Sequence, residues 1–154
     1  MNKWDAYFLS ICETVAKQST CLSRQFGAIL VRDKSIISTG YNGPARDVTH
    51  CQGPECPRRR CGYKSGQRLD LCPATHAEAN CIANAARNGI LTLGSTLYLN
   101  GVHPCKDCTS LLINAGVAEI VCLEGYYDVL SLRIAKDAGL SVRYLVKENL
   151  CGRA

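Results

Sequence analysis

The chain has no run approaching ~20 unbroken apolar residues, so no membrane-spanning helix is expected and no membrane partner. Its opening, Met1-Asn2-Lys3-Trp4-Asp5, lacks the apolar core of a secretory leader, which makes the cytoplasm the expected compartment. Internal repeats and low-complexity tracts are missing too. Charge of one sign is sparse: the formal net charge is +5, which suits an anionic small molecule or a nucleic acid without choosing between them. The one dense basic stretch is Arg58-Arg59-Arg60 with Lys64 and Arg68, short of the broad basic surface of an RNA-modifying protein, so no nucleic-acid partner is expected. Hydrophobic residues at 47% and charged residues at 20% are ordinary for a globular protein, and 154 residues fit a single domain over 1–154. Cysteine is what the chain has in excess. Eleven, an odd number, argue in a reducing compartment for thiolate chemistry with metal rather than a disulfide framework.

Two short stretches carry the chemistry, His76-Ala77-Glu78 and Pro104-Cys105-Lys106-Asp107-Cys108. Alone, each has a bland reading. A histidine at a helix start can be a cap or a surface residue, and a lone C-x-x-C can be half of a structural zinc site or a redox pair. Together they spell H-x-E and P-C-x-x-C, the pattern of zinc-dependent nucleobase deaminases. One imidazole and two thiolates supply three ligands and leave a fourth position for water, whose pKa bound zinc lowers to roughly 7. Glu78 is then the proton carrier and not a ligand. Each stretch also stands at a predicted helix start, where free N–H groups and the helix dipole favour thiolate and hydroxide. Residues two apart on a helix point ~200° apart, so His76 and Glu78 can share a pocket only with His76 in the first turn and the pocket beneath the helix end.

Along the chain, Trp4, Tyr7, Phe8, Ile11 and Val15 mark one face of a helix over 3–18. A strand over 25–32, a tight turn at Asp33-Lys34 and a strand over 35–41 predict a hairpin. Residues 42–74 show no periodicity but hold prolines, glycines and cysteines, and a loop this long is usually functional or pinned. Helix 76–88, strand 95–100, helix 105–115, strand 118–123, helix 128–138 and strand 141–146 complete the pattern. Such alternation implies parallel pairing, hence an α/β fold: a three-layer α/β/α sandwich on a mixed five-stranded sheet. Parallel strands place sites at their C-terminal ends, where Cys105 stands.

The chain resembles deoxycytidylate (dCMP) deaminases, members of the zinc-dependent cytidine/deoxycytidylate deaminase family, over nearly its whole length. The matching stretches are CLSRQFGAILV from Cys21, STGYNG from Ser38, His50-Cys51 through Cys56, Ser65-Gly66-Gln67-Arg68 leading to Cys72, THAEAN, AARNG, PCKDC and EGYYD near Tyr126. The resemblance implies a cytidine-deaminase-like sandwich, with a catalytic zinc on His76, Cys105 and Cys108 and proton transfer by Glu78. It implies a substrate pocket that includes Asn42, Ala77 and Tyr126, and effector binding at Gly40, Tyr41, Asn42 and Gly43, with dCTP activating and dTTP inhibiting. A homo-oligomer, tetramer or hexamer, is implied as well, and Mg2+ would accompany the nucleotide effectors. One departure is Lys106, where the family often has proline; a charge there tunes entry, contacts phosphate, or is a solvated helix position.

The long loop carries Cys51, Cys56, Cys61 and Cys72, and a polar loop of this length needs a staple, which metal can supply. From the resemblance, a second, structural zinc is expected on Cys21, Cys51, Cys56 and Cys72; the alternatives are free thiols, or His50 in place of one cysteine. Cys12, Cys81 and Cys122 read as small buried residues and Cys151 as part of a frayed tail. The arginine cluster reads either as a solvated face or as a phosphate grip. Arg24, near Asn42 if the hairpin forms, is the candidate for a substrate phosphate; the alternative is a surface residue at a strand start. The leading functional expectation is hydrolysis of dCMP to dUMP and ammonia, feeding dTMP synthesis. Its rivals are deamination of cytidine or a tRNA adenosine, and a non-catalytic zinc module that binds nucleotides.

Overall fold

The computed structural model describes residues 2–51, 56–64 and 67–146. Cys151, Ser65 and Gly66 lie outside the described residues. Helix α1 (Lys3–Ala16) starts where the Asn2 side chain accepts the Asp5 N–H, satisfying one of the donors a helix leaves free at its start. Strands β1 (Gly27–Arg32) and β2 (Ser35–Tyr41) form the expected hairpin. Its turn residues Asp33 and Lys34 have φ of 50° and 61°, the left-handed pair that matches the twist of a two-residue hairpin. Strands β5 (Thr96–Leu99), β6 (Glu119–Leu123) and β7 (Ser141–Leu145) alternate with α3 (Ala77–Arg87), α4 (Lys106–Asn114) and α5 (Val129–Asp137). The strand order is β2-β1-β5-β6-β7, with β1 antiparallel to both neighbours and β5, β6 and β7 parallel. This is the mixed five-stranded sheet that the sequence pattern predicts.

Strand periodicity divides the core in two. Ala28, Leu30, Leu97, Leu99, Ile120 and Cys122 face one side and pack with Ala77, Cys81, Ala85 and Leu112 of α3 and α4. Ile29, Val31, Tyr98, Val121 and Leu145 face the other and pack with Phe8, Leu9 and Cys12 of α1. Cys12, Cys81 and Cys122 are fully buried, as expected of small apolar thiols. A charge cluster around the buried Asp5 closes the α1 side: Asp5 accepts from Tyr98 Oη at 2.9 Å and from both Arg143 terminal nitrogens at 3.0 Å, while Arg143 Nε donates to Glu119 at 2.7 Å.

The long loop differs from a structureless segment. It holds a two-stranded ribbon of β3 (Gly43–Pro44) and β4 (Ala74–Thr75), the short helix α2 (Pro57–Arg60) and a 3-10 turn at Leu69–Leu71. These elements are too short for apolar periodicity to announce them. Part of the pinning comes from an arginine: Arg58 is buried and donates to the Gln67 and Lys64 carbonyls at 2.7 and 2.8 Å. Arg59 donates to Leu22 O, and Arg68 pairs with Asp70. Much of the basic stretch thus braces its own loop.

Candidate metal centre and active site

The site lies where two helices begin. His76 is the N-cap of α3 and Cys105 the N-cap of α4, both with extended backbone, so their side chains project from the helix ends. The extended His76 resolves the angular problem: it precedes the helix, and it lies close enough to Glu78 in the first turn for the two to interact electrostatically. Cys108 follows one turn into α4 and is buried.

His76 Nδ1 stands 3.5 Å from Cys105 Sγ and 3.5 Å from Cys108 Sγ. Among the described residues these three form a set whose ligand atoms all lie within 4.8 Å of one another. Tetrahedral zinc, with Zn–N of about 2.0–2.1 Å and Zn–S of about 2.3 Å, separates ligand N and S by roughly 3.5–3.6 Å. The donor set and its spacing therefore fit zinc. His76 is exposed while Cys108 and Glu78 are buried, so the cluster has one face open to solvent and a carboxyl beneath it.

Electrostatics follow the geometry. The Cys105 thiol is held down to about 4 by the hydrogen bond from Cys108 and then by His76. The same bond, together with burial, pushes Cys108 up, so Cys105 is the readier thiolate. Hydrogen bonding to Cys105 raises His76 to about 8. Burial raises the Glu78 carboxyl, against the pull of its own backbone N–H and of His76. A carboxyl raised by burial beside a ligand cluster holds a proton more readily than a solvated one, which suits it to carrying protons.

The other expected site residues are placed as follows. Cys21, Cys51, Cys56 and Cys72 border one small cavity of about 20 Å³, with Thr20, Pro44 and Arg58 around it. Its volume is that of about one water or ion. His50 donates to or accepts from Thr20 Oγ1 through Nδ1 at 3.2 Å, and Cys61 is exposed. Asn42 is buried, and both ends of its carboxamide engage backbone: Oδ1 accepts from Phe26 N at 2.7 Å and Nδ2 donates to Arg24 O at 2.9 Å. Arg24 is thus beside Asn42 through its main chain, while its side chain is exposed. The Ala77 methyl belongs to the core, leaving its backbone N–H at the helix start. Tyr126 is 84% exposed. Tyr41 and Gly43 offer their carbonyls to Asn80 Nδ2 at 2.8 and 3.4 Å, which ties this strap to α3. Lys106 pairs with Asp107 on the solvated helix surface, the blandest of its three readings.

Residues outside the two zinc-ligand stretches support the cluster. His103, Asp128 and Ser131 converge on the loop that carries Cys105. Of the three, Asp128 alone carries a sequence signal: it ends the EGYYD stretch and stands at a helix start, where its carboxylate caps Leu130 and Ser131.

Comparison with known proteins agrees with this arrangement. Residues 2–124 match the family described as the cytidine and deoxycytidylate deaminase zinc-binding region. The deoxycytidylate deaminase of Mycobacterium phage D29 is 36% identical over 125 residues, covering 77% of this chain and 92% of the phage protein. That of Saccharomyces cerevisiae is 35% identical over 141 residues, covering 91% of this chain; the chain spans 44% of the yeast protein's length, less than half. In fold, the chain is similar to the dCMP deaminase of cyanophage S-TIM5 solved with dCMP and dUMP, with a TM-score of 0.76 and 24% identity over 94% of this chain and 99% of that one. With histidine, glutamate and both cysteines of the zinc-binding region inside the matched span, the chain belongs to the cytidine and deoxycytidylate deaminase family.

Proposed function

We propose that the described residues form one deaminase domain that hydrolyses dCMP to dUMP and ammonia. The observation that carries the reading is the His76–Cys105–Cys108 cluster with the buried Glu78 beneath it, in a chain whose relatives are named deoxycytidylate deaminases. Zinc, when bound, supplies an acidified water. Glu78 would take one proton from the water as the water oxygen bonds to C4 of the cytosine ring and pass it to N3, then take that oxygen's second proton and pass it to the amino group, so that the C4–N bond breaks, ammonia leaves and the C4 carbonyl forms. The Ala77 N–H, which has no intrahelical partner at the first helical position, holds a ring carbonyl in this reading. Asn42 shapes the sugar side, Tyr126 closes over the nucleotide, and the exposed Arg24 grips the phosphate.

A second, structural zinc on Cys21, Cys51, Cys56 and Cys72 is part of this reading, supported by their shared cavity. Regulation by dCTP and dTTP with Mg2+ at the Gly40–Gly43 strap finds support in an adjacent groove of about 390 Å³ lined by Thr39, Arg46, Asn84 and Asn88. The active form is a homo-oligomer, tetramer or hexamer, in the cytoplasm. Among the described residues no helix is long and apolar enough to cross a membrane.

The test is a substrate panel read by ammonia release: dCMP, deoxycytidine, cytidine and a tRNA anticodon hairpin. Turnover of dCMP well above the others is expected, and preference for the hairpin or for cytidine would overturn the reading. Charge-assisted hydrogen bonds to phosphate predict that Arg24→Ala lowers kcat/KM for dCMP ~10–100-fold and leaves deoxycytidine nearly unchanged. Equal losses on both would remove Arg24 from the phosphate site.

A further inference from the structure

Ser131 is fully buried, and its one hydroxyl meets three polar atoms: His103 Nε2 at 2.9 Å, Thr109 Oγ1 at 2.7 Å and the Pro104 carbonyl oxygen at 2.8 Å. A hydroxyl has one proton to give and two lone pairs to receive. A carbonyl can only accept, so the Ser131 proton goes to Pro104 O, and Thr109 and His103 must both donate to Ser131. His103 therefore carries its proton on Nε2. Its Nδ1 is left as an acceptor, and Tyr144 Oη stands 3.1 Å away to donate to it. The bonds order into one direction: Tyr144 to His103, His103 to Ser131, Ser131 to Pro104.

The end of this chain is the peptide that enters Cys105. The peptide that leaves Cys105 is held from the same side, because Asp128 Oδ2 accepts the Lys106 N–H at 3.2 Å. Asp128 Oδ1 meanwhile accepts the N–H groups of Leu130 and Ser131 at 3.0 and 3.4 Å, fastening both gripping residues to one helical turn. Both peptide planes that flank Cys105 are thus clamped by the first turn of α5, which itself contributes no metal ligand. Pro104 adds a fixed φ and has no N–H of its own to misdirect the loop.

We propose that the first turn of α5 is a positioning clamp for the metal-ligand loop, with Ser131 as its central positioning residue. The inference rests on the metal reading of His76, Cys105 and Cys108. Residues that orient a metal ligand typically change metal affinity by ~10–100-fold when removed. Fixing Cys105 on both sides lowers the cost of ordering its sulfur when metal binds, and it limits the geometries open to the ligand set.

Two measurements test the clamp. In the zinc-loaded protein, imidazole nitrogen NMR is expected to find Nε2 of His103 donating its hydrogen bond to Ser131. An Nε2 that accepts instead would overturn the ordered chain, and this reading needs no variant to fold. The second compares Ser131→Ala with Thr109→Val by chelator competition for zinc. Ser131→Ala releases Pro104 and is expected to weaken zinc binding ~10–100-fold, whereas Thr109→Val keeps that bond and stays within about threefold of the parent. The cobalt-substituted Ser131→Ala protein is also expected to show altered thiolate charge-transfer bands. Unchanged zinc affinity in Ser131→Ala, or equal losses in both variants, would overturn the clamp. A parent protein that binds no metal at its cluster would instead overturn the underlying metal reading.

Discussion

Gly40 of β2 and Ala77 of α3 meet through backbone alone. A β-carbon on Gly40 would sit 2.7 Å from the Cys81 α-carbon and closer still to the Ala77 carbonyl oxygen, so the strand carries the first turn of the helix directly. Glycine here permits close approach of strand and helix. Gly40→Ala is expected to push α3 off the sheet and destabilise the protein by roughly 1–3 kcal/mol, as overpacking of cores does. Because α3 carries Glu78 and follows His76, zinc affinity and turnover should fall with it, with or without effector nucleotides. Denaturant unfolding and activity at fixed zinc check this. A variant of parental stability that has lost only its effector response would mean that Gly40 serves the effector site instead.

Glu78→Gln keeps the volume of the side chain and removes its capacity to carry a proton. Zinc content and the unfolding midpoint should match the parent, while kcat falls by ~10²–10⁴-fold or more, since one carboxyl serves several proton transfers. Metal analysis beside steady-state ammonia release checks the pair. Near-parental turnover by a zinc-loaded variant would sink the proposed mechanism.

Metal stoichiometry addresses the four cysteines around the small cavity. The purified protein should carry about two zinc ions per chain and Cys56→Ser about one, with the 42–74 segment becoming open to limited proteolysis. In the second zinc site the serine leaves a weak ligand, while His76, Cys105 and Cys108 are untouched. One zinc per chain in both proteins would reject the second site.

Acid should find the buried cluster on the α1 side. Burial raises the Asp5 carboxyl, but hydrogen bonds from Arg143 and Tyr98 outweigh it and hold Asp5 below the usual carboxylate value of 3.8. A carboxylate lowered by folding contributes stability that is full above its unfolded pKa and fades as pH falls through the folded one. Asp5→Asn is therefore expected to lose roughly 2–3 kcal/mol at pH 7, less than the ~3–5 of a fully buried pair because the Arg143 side chain is 39% exposed. The gap between parent and variant should hold from neutral pH to about pH 5 and narrow below about pH 4. Unfolding curves across that range measure it, and comparison of the two proteins cancels any loss of zinc in acid. A gap that does not change with pH would mean that the lost stability is packing rather than charge.

The mixed five-stranded sheet and the His76–Cys105–Cys108 cluster were legible in the residues themselves because both depend on local pattern. Alternation at 28–31, 97–99 and 120–122 assigns side chains to two faces, and strand–helix–strand spacing makes the last three strands parallel. His76, Glu78, Cys105 and Cys108 are readable because zinc chemistry restricts the residue types and helix starts restrict the places. Tertiary structure alone decided how far each residue stands from its partners. Asn42 reads from sequence as a substrate-side residue, and only the fold reveals that its carboxamide is bonded to Phe26 N and Arg24 O. Arg58 reads like a free cation until it is found buried against loop carbonyls. Ser131 has no motif, since its role arises from three partners 22 to 28 positions away, brought to one hydroxyl by packing of α4 on α5. Hydrogen bonds of such reach leave no periodicity in a sequence, because the spacing between partners is set by the whole fold rather than by a helical or strand repeat.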